Sequence, residues 1–203
     1  MKFDLKNIVL MVTFSLLLTT VLHTNPILIS GINIQKIDNS KSFRLRLGAM
    51  PTGKVELHFK DAQCKTLYTE DVSGKEDYSK LFELEDLPLG NYFLSVEDVT
   101  SITVQPIVIC SDNLTLDGTK RQKFFKPHFE MRNDKLVLTL LSKKPTKAKV
   151  KAENSAGRLL WKEKVTVADK FEKGYNFGQF GPNNYTLTIE IDGFIYKKEI
   201  KIR

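Results

Sequence analysis

Three histidines, two cysteines and a few runs of charge are the residues of this 203-residue chain that could do chemistry. His23, His58 and His128 are scattered, and none stands at the spacing of a zinc site or a hydrolytic triad. The sequence holds no Gly-x-Ser-x-Gly elbow, no His-Glu-x-x-His, no Cys-x-x-Cys and no glycine loop that could cradle phosphate. Nucleophilic, metal-assisted and nucleotide chemistry usually announce themselves through such patterns. The expectation is therefore a non-enzymatic protein with no cofactor and no bound metal. Asp71, Glu76 and Asp77, with Glu83, Glu85 and Asp86, offer oxygens suited to calcium, but their spacing follows no recognised loop. Solvated acidic turns are the plainer reading.

Basic residues make the better candidates. Lys147, Lys149 and Lys151 alternate with Ala148, Val150 and Ala152, which on a strand puts the three cations on one face. Lys198, Lys201 and Arg203 give the chain a basic ending. The charge is lopsided. Residues 42–110 hold 7 Lys+Arg against 11 Asp+Glu, whereas residues 135–203 hold 15 against 7. The overall +7 thus belongs to the C-terminal half, which could be steered toward an acidic surface. Cys64 falls in a turn and Cys110 at the end of a strand at the opposite pole, too far apart for a bridge, so two free thiols are expected.

The elements carrying these residues are strands, and they come in two sets. Phe43, Leu45 and Leu47 return as Leu136, Leu138 and Leu140, 93 positions later without a gap. Leu67, Tyr68, Glu70 and Val72 return as Leu160, Trp161, Glu163 and Val165, and Ile102, Ile107 and Ile109 as Ile195, Ile200 and Ile202. Apolar positions alternate with polar ones throughout, a period of 2 with no helical stripe. Tyr68 and Trp161, preserved as aromatics, are read as core residues. One further strand precedes each copy, giving about seven per module. Asp192-Gly193 marks a two-residue hairpin, replaced by a looser Val99-Thr100 in the first copy. Tyr92 and Tyr185 each follow a Gly/Pro/Asn corner that their hydroxyls could tie down.

The fold expected is all-β: two tandem immunoglobulin-like antiparallel β-sandwiches after an N-terminal signal segment. The expected boundaries are 1–24 for a signal peptide or anchor, 31–110 for module 1, 111–126 for a linker and 127–203 for module 2. Lys2 and Lys6 followed by an apolar run over 8–22 fit an export leader better than a full membrane span. Phe124 and Phe125 are apolar for a linker and are expected to pack between the modules.

Several of these segments together resemble the C-terminal sorting domains of the type IX secretion system and related immunoglobulin-like secreted bacterial modules. The resemblance rests on Val55-Glu-Leu-His-Phe-Lys-Asp61, Leu67-Tyr68 and Leu87-Pro-Leu-Gly90-Asn-Tyr92-Phe-Leu-Ser-Val96, with Leu160-Trp161, Asn184-Tyr185 and the basic ending in the second copy. It covers about 140 residues, and it departs from the family at Asn183, where a glycine is usual, and at Asp134-Lys135. It implies a small antiparallel sandwich on an exported protein, with a basic last strand read by export machinery. Three function classes follow. The first is an adhesion, scaffold or envelope-associated binding module in the periplasm, at the cell surface or outside the cell. The second is a secretion sorting determinant, and the third a polysaccharide-binding protein. The expected partner is a protein or a surface glycan; no nucleic acid is expected, and membrane contact only through an uncleaved N-terminal segment.

Overall fold

The computed structural model describes residues 31–48, 52–75 and 77–203. The leader expected at 1–24, with His23, and Glu76 of the acidic run lie outside the described residues. Strands dominate the rest, as the alternation requires.

The first sandwich is built from β1 (Ile32–Lys36), β2 (Ser42–Leu47), β3 (Glu56–Asp61), β4 (Thr66–Asp71), β5 (Tyr78–Glu83), β6 (Gly90–Glu97) and β7 (Ser101–Ile109). β1, β2 and β5 form one antiparallel sheet, and β4-β3-β6-β7 the other. Residues 111–126, expected as a plain linker, contribute two short strands, β8 (Leu114–Leu116) and β9 (Gln122–Phe125), and both pair with β7. Leu114 is fully buried in the first core. The second sandwich repeats the plan with β10 (His128–Arg132), β11 (Lys135–Leu141), β12 (Thr146–Asn154), β13 (Leu159–Val167), β14 (Lys170–Asn176), β15 (Asn183–Ile191) and β16 (Phe194–Ile202). Its sheets run β10-β11-β14 and β13-β12-β15-β16. In each sandwich the fourth strand pairs with the third rather than joining the sheet of the fifth, so three strands face four.

Apolar side chains at every second position meet between the sheets. In the first core Phe43 stacks on Phe82 at 4.8 Å, and Phe59 on Tyr92 at 5.5 Å. Leu136, Leu138, Val150, Leu187 and Ile189 are fully buried in the second. The gapless repeat ends at the first hairpin. Six residues separate the paired Lys36 and Phe43, but four separate Met131 and Leu136. The difference is two, an even number, so each side chain of the leading strand keeps its face.

The turns obey their residues. Asp192 and Gly193 both have positive φ, 52° and 81°, and join β15 to β16 directly. Val99-Thr100 is the looser loop expected, held by Asp98. Its Oδ1 accepts from the Thr100 amide at 2.6 Å and the Ser101 amide at 2.7 Å. Burial opposes the ionised form of Asp98, but the hydrogen bonds from Thr100 and Ser101 outweigh it and hold the carboxyl below its usual range. Both tyrosine corners form: Tyr92 donates to the Pro88 carbonyl at 2.8 Å and Tyr185 to that of Gly181 at 2.7 Å.

Edge positions depart from expectation. Leu67 is exposed rather than buried, and Tyr68, Leu160 and Trp161 are half-buried against the cores instead of inside them. β4 and β13 are edge strands, so the opposite sheet covers them on one side only. Cys64 and Cys110 are both free, but not at opposite poles as expected. Asp61 pairs with Tyr92 and Tyr92 with Ile107, so the turn holding Cys64 and the end of β7 before Cys110 lie at the same end of the sheet, with β6 between them.

Candidate binding surface

The histidines do not gather. His58 points outward from β3, where its Nδ1 lies 3.2 Å from the Thr69 hydroxyl, and His128 is exposed on β10. Among the described residues no three His, Cys, Asp or Glu side chains form a metal-binding group.

Two glutamates point inward and are held. Glu70 on β4 accepts from the hydroxyl of Tyr68, from Tyr78 at 2.6 Å, from Lys75 at 2.9 Å and from Lys80 at 3.2 Å. Tyr78 and Lys80 belong to β5 in the other sheet, so the carboxylate ties the two sheets at their open side. The hydroxyls of Tyr68 and Tyr78, more than the ammonium groups, hold the Glu70 carboxyl far below the usual range. Glu163 repeats the device with Lys173 at 2.8 Å and Tyr175 at 2.6 Å. The hydroxyl has moved along the strand, from the place of Phe171 in the repeat to that of Phe82, yet still reaches the glutamate. Every oxygen of these clasps is engaged within the fold, which leaves them a structural role.

The outward side of the larger sheet in the second sandwich is different. Lys147, Lys149 and Lys151 of β12 all stand exposed on it, as the alternation predicts. Strand pairing adds cations that local sequence did not bring to them. Lys149 lies directly opposite Lys164 of β13, and Lys151 opposite Lys162. On the other flank Lys149 faces Glu190 of β15 and Lys151 faces Thr188, which in turn faces Lys197 of β16. Lys149 bonds Glu190 at 2.9 Å and Lys151 bonds Glu153 at 3.0 Å. Lys162, Lys164 and Lys197 make no ion pair among the described residues. A groove of about 400 Å³ runs over this face between the lysine stems, with Thr188 on its floor.

The remaining basic candidates separate. Lys201 shares the outward face but sits at the far end of β16, while Arg203 follows the strand, exposed. Lys198 turns the other way, half-buried on the inner side. In the first sandwich this inner position is Gln105, which is buried and bonds both Asp117 and Arg121 of the segment covering β7. Among the described residues no strand pairs with the free edge of β16, and an inward lysine there guards it against pairing. Lys162, Lys164, Lys197 and Thr188 were missed by sequence reasoning. Only the alternation Trp161-Lys162-Glu163-Lys164 gave a local hint, since cross-strand neighbours are distant in sequence.

No family model matches the chain, and no curated protein does. Among solved structures it is similar to a biofilm-associated protein's BSP domain, with 15% identity and a TM-score of 0.28, covering 85% of this chain and 29% of that one. It is also similar to a two-domain fibronectin type III segment of chicken tenascin (10% identity, TM-score 0.28, 85% and 98% covered). A third is the FN1-FN3 segment of chicken CNTN1 (9% identity, TM-score 0.27, 86% and 66% covered). The chain thus spans under a third of the biofilm-associated chain's length. The tandem sandwich itself is read from this chain's own strand order.

Proposed function

We propose that this chain is a non-enzymatic, exported adhesion or scaffold module whose contact surface is the lysine face of the second sandwich. One observation carries the reading: Lys149 opposite Lys164 and Lys151 opposite Lys162. Like charges directly opposed across strands destabilise a sheet. The fold does not require lysines there. At the same places in the first sandwich Glu56 faces Asp71, a like-charge pair of the opposite sign, and His58 faces Thr69, with no lysine at any of the four. Four lysines brought together by register on one exposed face, where the first sandwich has none, support a role in meeting an acidic partner.

The test is adhesion of the purified chain to surfaces of the producing cells, compared with the quadruple variant carrying Lys149→Gln, Lys151→Gln, Lys162→Gln and Lys164→Gln. Loss of adhesion with an unchanged melting temperature, or a slightly raised one, supports the reading; adhesion equal to the parent's refutes it. Export is tested by recovering the mature chain outside the cytoplasm and weighing it.

The resemblance to sorting domains supports a second reading, in which the exposed Lys201 and Arg203 are recognised during secretion. Deleting residues 198–203 would also remove Ile200 and Ile202 from the core. The informative variant is therefore Lys201→Gln with Arg203→Gln. Retention in the cell supports sorting, and unaltered export counts against it.

A further inference from the structure

We infer that the groove at Thr188 binds the anionic groups of a linear acidic polysaccharide; this rests on the lysine face being the contact surface. Thr188 is 8% exposed, and its Oγ1 is buried without a hydrogen-bond partner. A buried hydroxyl normally finds one, and each exception needs a reason. Here Thr188 lines the groove together with Lys149, Lys151, Lys162 and Lys164, bordered also by Glu163 and Glu190, with Lys197 beside it on β16. A hydroxyl donates one hydrogen bond and an ammonium three, so an anionic oxygen entering between the lysine stems satisfies both.

The surroundings select the ligand. Lys162, Lys151, Thr188 and Lys197 form one row across four neighbouring strands. At about 4.8 Å per strand the row spans about 14 Å, longer than a single anion and suited to charges repeated along a chain. Glu153, Glu190 and Glu199 interrupt the cations on the same face. Those carboxylates disfavour a continuous phosphate backbone and tolerate spaced charges. The outward positions of the four strands carry no aromatic side chain on which a base could stack. A glycan with anionic groups at intervals fits these features better than a nucleic acid does.

The repeat supplies the control. In the first sandwich the same row reads Thr69, His58, Ser95 and Val104, with no lysine in it. The small hydroxyl is there, but the cations that would bring an anion to it are not.

The experiment measures binding of the full chain to heparin, a sulfated glycan, and to polygalacturonate, a carboxylated one. Single-stranded DNA serves as the competing polyanion. Thr188→Val keeps the side-chain shape and removes the hydroxyl, so the variant should fold at least as well as the parent. It should bind the preferred glycan about tenfold more weakly, the loss of one hydrogen bond to a charged group. Lys151→Gln with Lys197→Gln should weaken binding further, whereas Ser95→Val in the first sandwich should leave it unchanged. Which glycan responds tells sulfate from carboxylate. Binding by Thr188→Val within twofold of the parent overturns the site, and so does tighter binding of DNA than of either glycan. If neither glycan binds while the quadruple lysine variant still loses cell adhesion, the glycan assignment falls and the adhesion reading stands.

Discussion

Replacing Glu70 by glutamine removes the charge that two tyrosines and two lysines converge upon. Hydrogen bonds to a charged group contribute about 1.5–3 kcal/mol when well shielded. The side chains of Glu70, Lys75 and Lys80 are 24%, 46% and 34% exposed, so water discounts the lysine contacts heavily. A net loss of about 2 kcal/mol at pH 7 is expected, carried mainly by the tyrosine hydroxyls. For a sandwich of this size that lowers the melting temperature by about 10 °C. Glu163→Gln, which forfeits only Lys173 and Tyr175, should cost about half as much. The pH dependence distinguishes charge from shape. Glu70 is more acidic in the folded chain than in the unfolded one, where its carboxyl titrates near about 4.3. Its stabilisation is therefore complete above that value and drains away as pH falls further toward the folded pKa. Melting curves of parent and Glu70→Gln should lie well apart at pH 7 and approach each other steadily below about pH 5. A gap that stays constant from pH 7 to pH 3 would show that glutamine merely packs badly, and the clasp would not be electrostatic.

Two further outcomes bear on the fold. Cys64 adopts φ 63° where the second copy has Gly157 at φ 74°, so Cys64→Gly relieves a left-handed strain of about 1–2 kcal/mol. Part of that gain is offset by the greater freedom of glycine when unfolded, leaving the first sandwich more stable by about 0.5–1 kcal/mol in a thermal melt; a destabilised variant would contradict the turn geometry. Lys198→Val withdraws the inward charge from the open edge of β16, and sedimentation should then report stronger concentration-dependent association than that of the parent.

What the sequence disclosed were the features encoded by neighbours. Alternation along Phe43 to Leu47 and Ala148 to Ala152 announces strands, Asp192-Gly193 announces a hairpin, and Tyr92 and Tyr185 announce their corners. What it withheld depends on distant partners. The exposure of Leu67 follows from the edge position of β4, which no local pattern reveals. β8 and β9 have only three and four residues, too few for a period to be counted. The same holds for the candidate surface. Lys147, Lys149 and Lys151 share a face by parity alone, whereas Lys162, Lys164, Lys197 and Thr188 reach it only through register. Lys198 was grouped with them by composition and parted from them by parity.

The segment joined to β7 also governs how the two sandwiches are coupled. β9 ends at Phe125, and the Lys126 amide donates to the Thr100 carbonyl at 2.8 Å while its ammonium reaches Glu97 at 2.8 Å. β10 begins at His128, so Pro127, with its ring-locked φ, is the one residue between anchored backbone on either side. The chain there resembles a short axle more than a tether. Tension applied to the second sandwich therefore reaches the hydrogen bonds between β9 and β7 almost at once, and the first body must bear the load instead of slack chain absorbing it.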